Sequence, residues 1–394
     1  DTNGFADLGN IYGITVMSKA QDGTAMVVVG NGYNSNSGTS NSNGFTGEAK
    51  LYKINALTGA KIGEISTGSG STSSPNGLST PTLVDDDLDG KADYAYAGDI
   101  DGHLWKFDLK ANTATLLLTT DSNQAITMAP AYMKHPNGGY MVVFVTGKLF
   151  TADDQKDTAT HYAYGVWDDA LAATRSSKTV TVSQTLTEYT YTAGTISVRV
   201  RVATDNRPDW ATAKGWKTAL PIGGERLIGG DGALISQSQG VFRFLSSNPT
   251  VSSSSTVPGE NWWMELNPLT GGTTGINRFD LNADRLVDNS DALSITTGTG
   301  LSAVTNIVPA VGRHMGGGVR SQLVALFTSS YAVYQANYDR NGAPPSPASK
   351  GVAGGHFDVE SYVAPAIVCE KPGGSRARGS VRFDYGSFYA TNIV

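Results

Sequence analysis

Short runs of β-forming residues, each closed off by glycine, asparagine, serine or aspartate, recur from one end of this chain to the other. Ala25-Met26-Val27-Val28-Val29, Tyr140-Met141-Val142-Val143-Phe144-Val145, Ile196-Ser197-Val198-Arg199-Val200-Arg201-Val202 and Leu323-Val324-Ala325-Leu326-Phe327 set the pattern. The bounding residues supply turns, through positive φ or through side chains that bond to their own backbone. One short helix is expected, around Asp209 to Lys214. With 47 glycines and only 16% charged residues in 394, strong helix formers are too few for a coiled coil or a helical bundle. Apolar residues at 39% suffice to fill a core, so the chain does not read as disordered. The fold class is all-β.

A weak internal repeat sharpens the expectation. Leu51-Tyr52-Lys53-Ile54-Asn55-Ala56-Leu57-Thr58-Gly59 joins an alternating strand to an Asn-led turn closed by glycine. Leu104-Trp105-Lys106-Phe107-Asp108-Leu109 repeats the strand, and Trp263-Met264-Glu265-Leu266-Asn267-Pro268-Leu269-Thr270-Gly271 repeats strand and turn. Leu51 and Leu104 lie 53 residues apart, close to the length of a four-stranded propeller blade with its loops. The expectation is a modified seven-bladed β-propeller of four-stranded antiparallel blades, residues 1–394 forming one domain. Asn34 to Gly44 and Ser252 to Thr256 read as loops. Residues 174–202 read as an inserted β-hairpin projecting from the body.

A net charge of −6 argues against duplex nucleic acid or an anionic membrane as the main partner. No stretch of 18 apolar residues is present, so no transmembrane helix is expected. The start at Asp1, without Met or signal peptide, reads as a mature form or an excised piece of a larger protein. The single cysteine, Cys369, has no partner for an internal disulfide.

The sharpest chemistry lies at Asp85-Asp86-Asp87-Leu88-Asp89-Gly90-Lys91-Ala92-Asp93. Counting Asp85 as position 1, carboxylates fall at 1, 3, 5 and 9 and glycine at 6, the ligand spacing of a calcium loop. Alternate side chains turn inward, Gly90 permits the bend, and the Lys91 carbonyl serves at position 7 while its ammonium points outward. Position 12 is Tyr96, so the glutamate of an EF-hand is missing, and a strand follows instead of a helix. Seven of the chain's 35 acidic residues fall between Asp85 and Asp101 against one lysine, a concentration that calls for a cation. A second loop, Asp280 to Asp291, places oxygen donors Asp280, Asn282, Asp284, Asp288 and Asp291 at 1, 3, 5, 9 and 12, with the Leu286 carbonyl at 7. Arg285 stands at position 6 in place of the glycine, which opposes the bend. One calcium ion is expected, and a second at this loop.

No catalytic pattern emerges. His103, His135, His161, His314 and His356 make no HxH or HExxH spacing, and no GxSxG occurs. Gly312 to Gly318 lacks the ending of a phosphate loop. Trp105, Trp262 and Trp263 lie on expected strands and read as packing residues. The chain is therefore expected not to be an enzyme.

The segment from Pro81-Thr82-Leu83-Val84-Asp85 through Tyr96-Ala97-Gly98-Asp99-Ile100-Asp101-Gly102-His103-Leu104-Trp105-Lys106-Phe107-Asp108-Leu109 resembles the hallmark of the PilC/PilY family, tip-associated adhesins and assembly factors of bacterial type IV pili. Gly30 to Ser35, Tyr162 to Asp168, Leu220 to Arg226, Trp263 to Gly271 and Gly355 to Val359 also fit, so the resemblance spans nearly the whole chain and covers the family's C-terminal domain. It implies a calcium-carrying propeller, with family ligands mapping onto Asp85, Asp87, Asp89, Lys91 (carbonyl) and Asp93. It further implies a location outside the cell or at its surface, contacts with pilin or minor pilins, control of pilus extension and retraction, twitching motility, virulence and attachment to a host-cell receptor. The family's large N-terminal region is expected to lie outside these residues. Two alternatives remain: a carbohydrate-binding propeller using exposed Trp and Tyr, and a quinone-dependent dehydrogenase, for which the lone Cys369 lacks the vicinal partner.

Overall fold

The structure, a computed structural model, describes residues 4–33, 44–169, 180, 182–229, 232–236, 239–249, 259–297 and 303–316, with the backbone of four strands between 367 and 390. The loops at 34–43 and 252–256, His356 and the 323–327 run lie outside the described residues. The chain divides into two compact units, Asp1–Thr190 with Val198–Ile276 and Val308–Leu323, and Tyr191–Ser197 with Asn277–Ile307 and Val324–Val394.

In the first unit, β1 (Val16–Lys19), β2 (Ala25–Gly30), β3 (Glu48–Asn55) and β4 (Lys61–Gly70) form a four-stranded antiparallel meander. The strands β5 (Thr82–Val84), β6 (Tyr94–Gly98), β7 (His103–Asp108) and β8 (Thr113–Thr119) form a second one in the same order. A third sheet begins with β9 (Ala131–Lys134), β10 (Tyr140–Val145) and β11 (Tyr162–Asp168). The chain then adds β12 (Val182–Gln184) as an edge strand, leaves the sheet through β13 (Leu186–Ala193) and β14 (Ile196–Ala203) and returns with β15 (Gly215–Ala219) between β12 and β11, giving the order β12-β15-β11-β10-β9. The fourth sheet is built from β16 (Leu234–Ser236), β17 (Val241–Asn248) and β18 (Glu260–Leu266). After an excursion through β19 (Leu293–Thr297) and β20 (Val304–Val308) in the second unit, β21 (Gly312–His314) completes it.

Two departures from plain four-stranded sheets follow from that excursion between β11 and β15. The strand β12 pairs in parallel with β15, making the third sheet five-stranded. The β13–β14 hairpin, instead of projecting freely, adds to the edge of the fourth sheet, where Val200 and Arg201 of β14 face Arg313 and Gly312 of β21. Arg201 fastens it there. Its guanidinium is fully buried and reaches both oxygens of the equally buried Glu225 at 2.6 and 2.7 Å, lying 3.7 Å over the ring of Trp262. In place of the helix expected at Asp209 to Lys214 there is a hydrogen-bonded turn: the Asp209 carbonyl accepts from the Thr212 and Ala213 amides and the chain then enters β15.

Successive sheets pack face to face, because strands buried on both faces send alternate side chains to opposite neighbours. The six residues of β10 show it: Val142 and Phe144 join Val84, Tyr96 and Leu104 of the second sheet, whereas Met141, Val143 and Val145 join Phe242, Phe244 and Met264 of the fourth. A third cluster, including Met26, Val28 and Leu51 with Ala95, Trp105 and Phe107, joins the first two sheets. The sequence repeat falls on equivalent third strands, β3, β7 and β18. Its turns close alike: the Asn55 carbonyl accepts from Gly59 at 2.9 Å and that of Asn267 from Gly271 at 2.8 Å.

Candidate metal centre

The first acidic loop is the connection between β5 and β6. Strand pairing holds its ends, Val84 opposite Tyr94, and the Asp93 amide donates to the Val84 carbonyl at 2.8 Å. Between these ends the loop folds on its own carboxylates. Asp85 accepts from the amides of Asp89 (3.1 Å) and Gly90 (2.8 Å), Asp87 from Asp89 (3.2 Å), and Asp89 from Lys91 (2.9 Å). Leu88 and Gly90 take positive φ, 61° and 82°, so the backbone bends twice at positions 4 and 6. At position 6 glycine adopts that conformation without penalty. As a result Asp85, Asp87 and Asp89 each present an oxygen within 4.8 Å of the other two.

Asp93 stands beside this group. Its Oδ2 accepts from the Asp86 amide at 2.8 Å, and its Oδ1 pairs with Lys110 Nζ at 2.7 Å. Burial pulls the Asp93 carboxyl up, but Lys110 and the Asp86 amide outweigh it and hold the group below the usual carboxylate range. Lys91 was expected to point outward. Its ammonium instead turns back onto Asp89 Oδ2 at 2.9 Å, drawn by the negative potential of the cluster, and lowers the Asp89 pKa. The converging donors are carboxylate oxygens, hard ligands that fit a cation taking six to eight such oxygens, calcium above all. The two lysines mark the same demand for positive charge.

The second loop, in the other unit, has the same local fold. Ala283 and Arg285, again positions 4 and 6, have φ of 59° and 73°. Asp280 accepts from the Arg285 amide (2.9 Å), Asn282 from Asp284 (2.9 Å) and Asp284 from Leu286 (2.8 Å), bond for bond the first loop's 1–6, 3–5 and 5–7 contacts. The closing carboxylate differs. Position 9 closes the first loop, whereas here Asp291 at position 12 accepts from the position-2 amide of Leu281 at 2.7 Å. Asp288 is turned to Ser290 as a cap. No three acidic side chains of this loop converge as Asp85, Asp87 and Asp89 do, among the described residues. Arg285 is exposed and pays for its left-handed backbone, so Arg285→Gly is expected to stabilise the protein by about 1 kcal/mol in a denaturant titration.

Sequence reasoning missed Lys110 and Lys134, whose ammonium groups reach the first loop from the β7–β8 turn and from β9. Neither is near it in sequence, and no local signal marks them.

Consecutive antiparallel sheets packed face to face, with an aspartate-rich loop between the first and second strands of one of them, have the architecture of β-propeller blades. A family model described as the PilY1 beta-propeller domain matches residues 2–116 and 114–193. The type IV pilus biogenesis factor PilY1 of Pseudomonas aeruginosa strain PAO1 is 31% identical over 338 residues, which cover 73% of this chain and 28% of that protein. The PilY1 homolog of Xylella fastidiosa strain Temecula1 is 27% identical over 323 residues, covering 74% and 21%. The crystal structure of the Pseudomonas aeruginosa PilY1 C-terminal domain matches with a TM-score of 0.64 at 24% identity, covering 98% of this chain and 73% of that one. The chain belongs to the PilC/PilY family and corresponds to its C-terminal propeller domain. It spans less than a third of the length of these curated relatives.

Proposed function

We propose that this domain is a non-enzymatic interaction module of a type IV pilus biogenesis factor, in which calcium held by the Asp85–Asp93 loop orders a surface contacting pilin or minor pilins. The observation that carries the reading is the convergence of Asp85, Asp87 and Asp89 on a loop rooted between two strands. Bound calcium would supply two positive charges at the point where these carboxylates repel one another. Asp85, Asp87, Asp89 and Asp93 with the Lys91 carbonyl hold it, Lys91 and Lys110 release their carboxylates, and the Asp86 amide keeps Asp93 in place. Coupling of ion binding to local folding then makes the loop stiffer in the bound state. The matching backbone of Asp280, Asn282, Asp284, Leu286 and Asp291 supports a second, weaker site there, with Asp288 as a cap in place of a ligand.

A location at the cell surface or pilus and roles in retraction, twitching motility and host adhesion belong to the same proposal, supported by the relatives' names as pilus biogenesis factors, as does completion of a seven-bladed ring, supported by the match to a beta-propeller domain. The test is a pull-down of purified pilin and minor pilins on the immobilised domain in calcium and in EGTA. Capture that depends on calcium is expected, and capture equal in both conditions contradicts the reading.

A further inference from the structure

We infer that Asp86, Lys134 and Tyr140 form a latch that positions the first loop's ligands and carries the loop's state into the neighbouring third sheet. The inference rests on the calcium reading above and assigns work to residues outside the ligand set. Asp86 is position 2 of the loop, so its side chain points away from the cluster. Its Oδ1 accepts from Lys134 Nζ at 2.5 Å and from the Tyr140 hydroxyl. Those two residues are cross-strand partners on β9 and β10, and the Lys134 ammonium also lies 4.4 Å from the Tyr140 ring centroid. Lys134 and Tyr140 hold the Asp86 carboxyl below its usual range.

The backbone of the same residue does the other half. The Asp86 amide donates to Asp93 Oδ2, so any displacement of Asp86 displaces a ligand. In the second loop the position-2 amide likewise holds the closing carboxylate, and its residue, Leu281, is anchored by burial instead. Position 2 is thus the fixed point of both loops, secured once by an ionic clamp and once by the core. Close by, the β6 residue Tyr96 and the β7 residue Lys106 both donate to Asp168 of β11, at 2.6 and 2.8 Å. The seam between the second and third sheets therefore already joins the loop's supporting strands to β11.

A latch and a simple electrostatic field predict opposite signs. Removing the Lys134 charge by field alone would tighten binding of a cation nearby, whereas loss of the latch weakens it. Calcium titration calorimetry on the full chain is expected to show affinity about fivefold weaker in Lys134→Met and in the isosteric Tyr140→Phe. In hydrogen exchange, calcium is expected to protect β9 and β10 in the wild type, and only the loop in the two variants. Wild-type affinity with unchanged protection in Tyr140→Phe, or tighter binding in Lys134→Met, overturns the latch and leaves the calcium site standing. A wild type that takes up no calcium overturns both.

Discussion

Asp87→Ala/Asp89→Ala is expected to abolish calcium uptake at the first loop in titration calorimetry, with the fold intact. Two of the three converging carboxylates are gone in this variant, and the remaining Asp85 and Asp93 cannot displace the first hydration shell of the ion on their own. The effect is best read as a lost difference. At a free calcium concentration about a hundred times the dissociation constant, binding stabilises the wild type by about 2.7 kcal/mol. The variant is expected to lose this calcium-dependent gain in the first unit, keeping only the smaller shift that the second loop supplies. In EGTA it should lie within about 1 kcal/mol of the wild type, because the exposed pairs that Lys91 makes with Asp89 and Lys110 with Asp87 are worth little. Uptake by the second loop would persist as a separate, weaker phase, and its removal by Asp280→Ala assigns it. Equal first-phase uptake in both proteins contradicts the site.

The second large effect is structural. Arg201→Met should destabilise the first unit by about 3–5 kcal/mol, because it leaves the fully buried Glu225 carboxyl without its partner. Glu225 also accepts from the Ser246 hydroxyl, which cannot replace a guanidinium that spans both carboxylate oxygens. Loss of Arg201 also frees the β13–β14 hairpin from its seat over Trp262, so protease sensitivity between residues 186 and 203 should rise in parallel. Replacing both members, Arg201→Met with Glu225→Leu, is expected to recover most of the loss, since an apolar pair of similar volume needs no solvation. A single variant within 1 kcal/mol of the wild type in a denaturant titration contradicts the assignment of the buried pair as the hairpin's anchor.

These two sites differ in how far the sequence exposed them. The aspartate loop was legible because its chemistry is local: nine consecutive residues determine which side chains turn inward, and the amides that orient Asp85, Asp87 and Asp89 come from the same segment. The repeat was legible for a similar reason, since an alternating strand followed by an Asn- or Asp-led turn fixes its own hairpin. The equivalence of β3, β7 and β18 is visible in Leu51, Leu104 and Trp263 before any contact is known. The Arg201–Glu225 pair depends instead on two segments 24 residues apart that meet only because the chain leaves the third sheet after β11. Period-2 alternation identifies β14 as a strand but does not say which sheet it joins, so the hairpin read as a free projection. Lys110 and Lys134 escaped notice on the same ground. The reading of Arg285 captured the steric conflict but not its resolution, in which the arginine accepts a left-handed backbone so that its amide can still bond to Asp280.

Whether calcium binds among Asp85, Asp87, Asp89 and Asp93 decides the function proposed for this domain. An anomalous-difference map from crystals grown in calcium, recorded at a wavelength where calcium scatters anomalously, addresses it most directly. The expected result is a single strong peak ringed by these carboxylates and the Lys91 carbonyl at about 2.4 Å, with the Lys91 and Lys110 ammonium groups swung clear. A map with no peak, in which Lys110 still bridges Asp87 and Asp93, would contradict it.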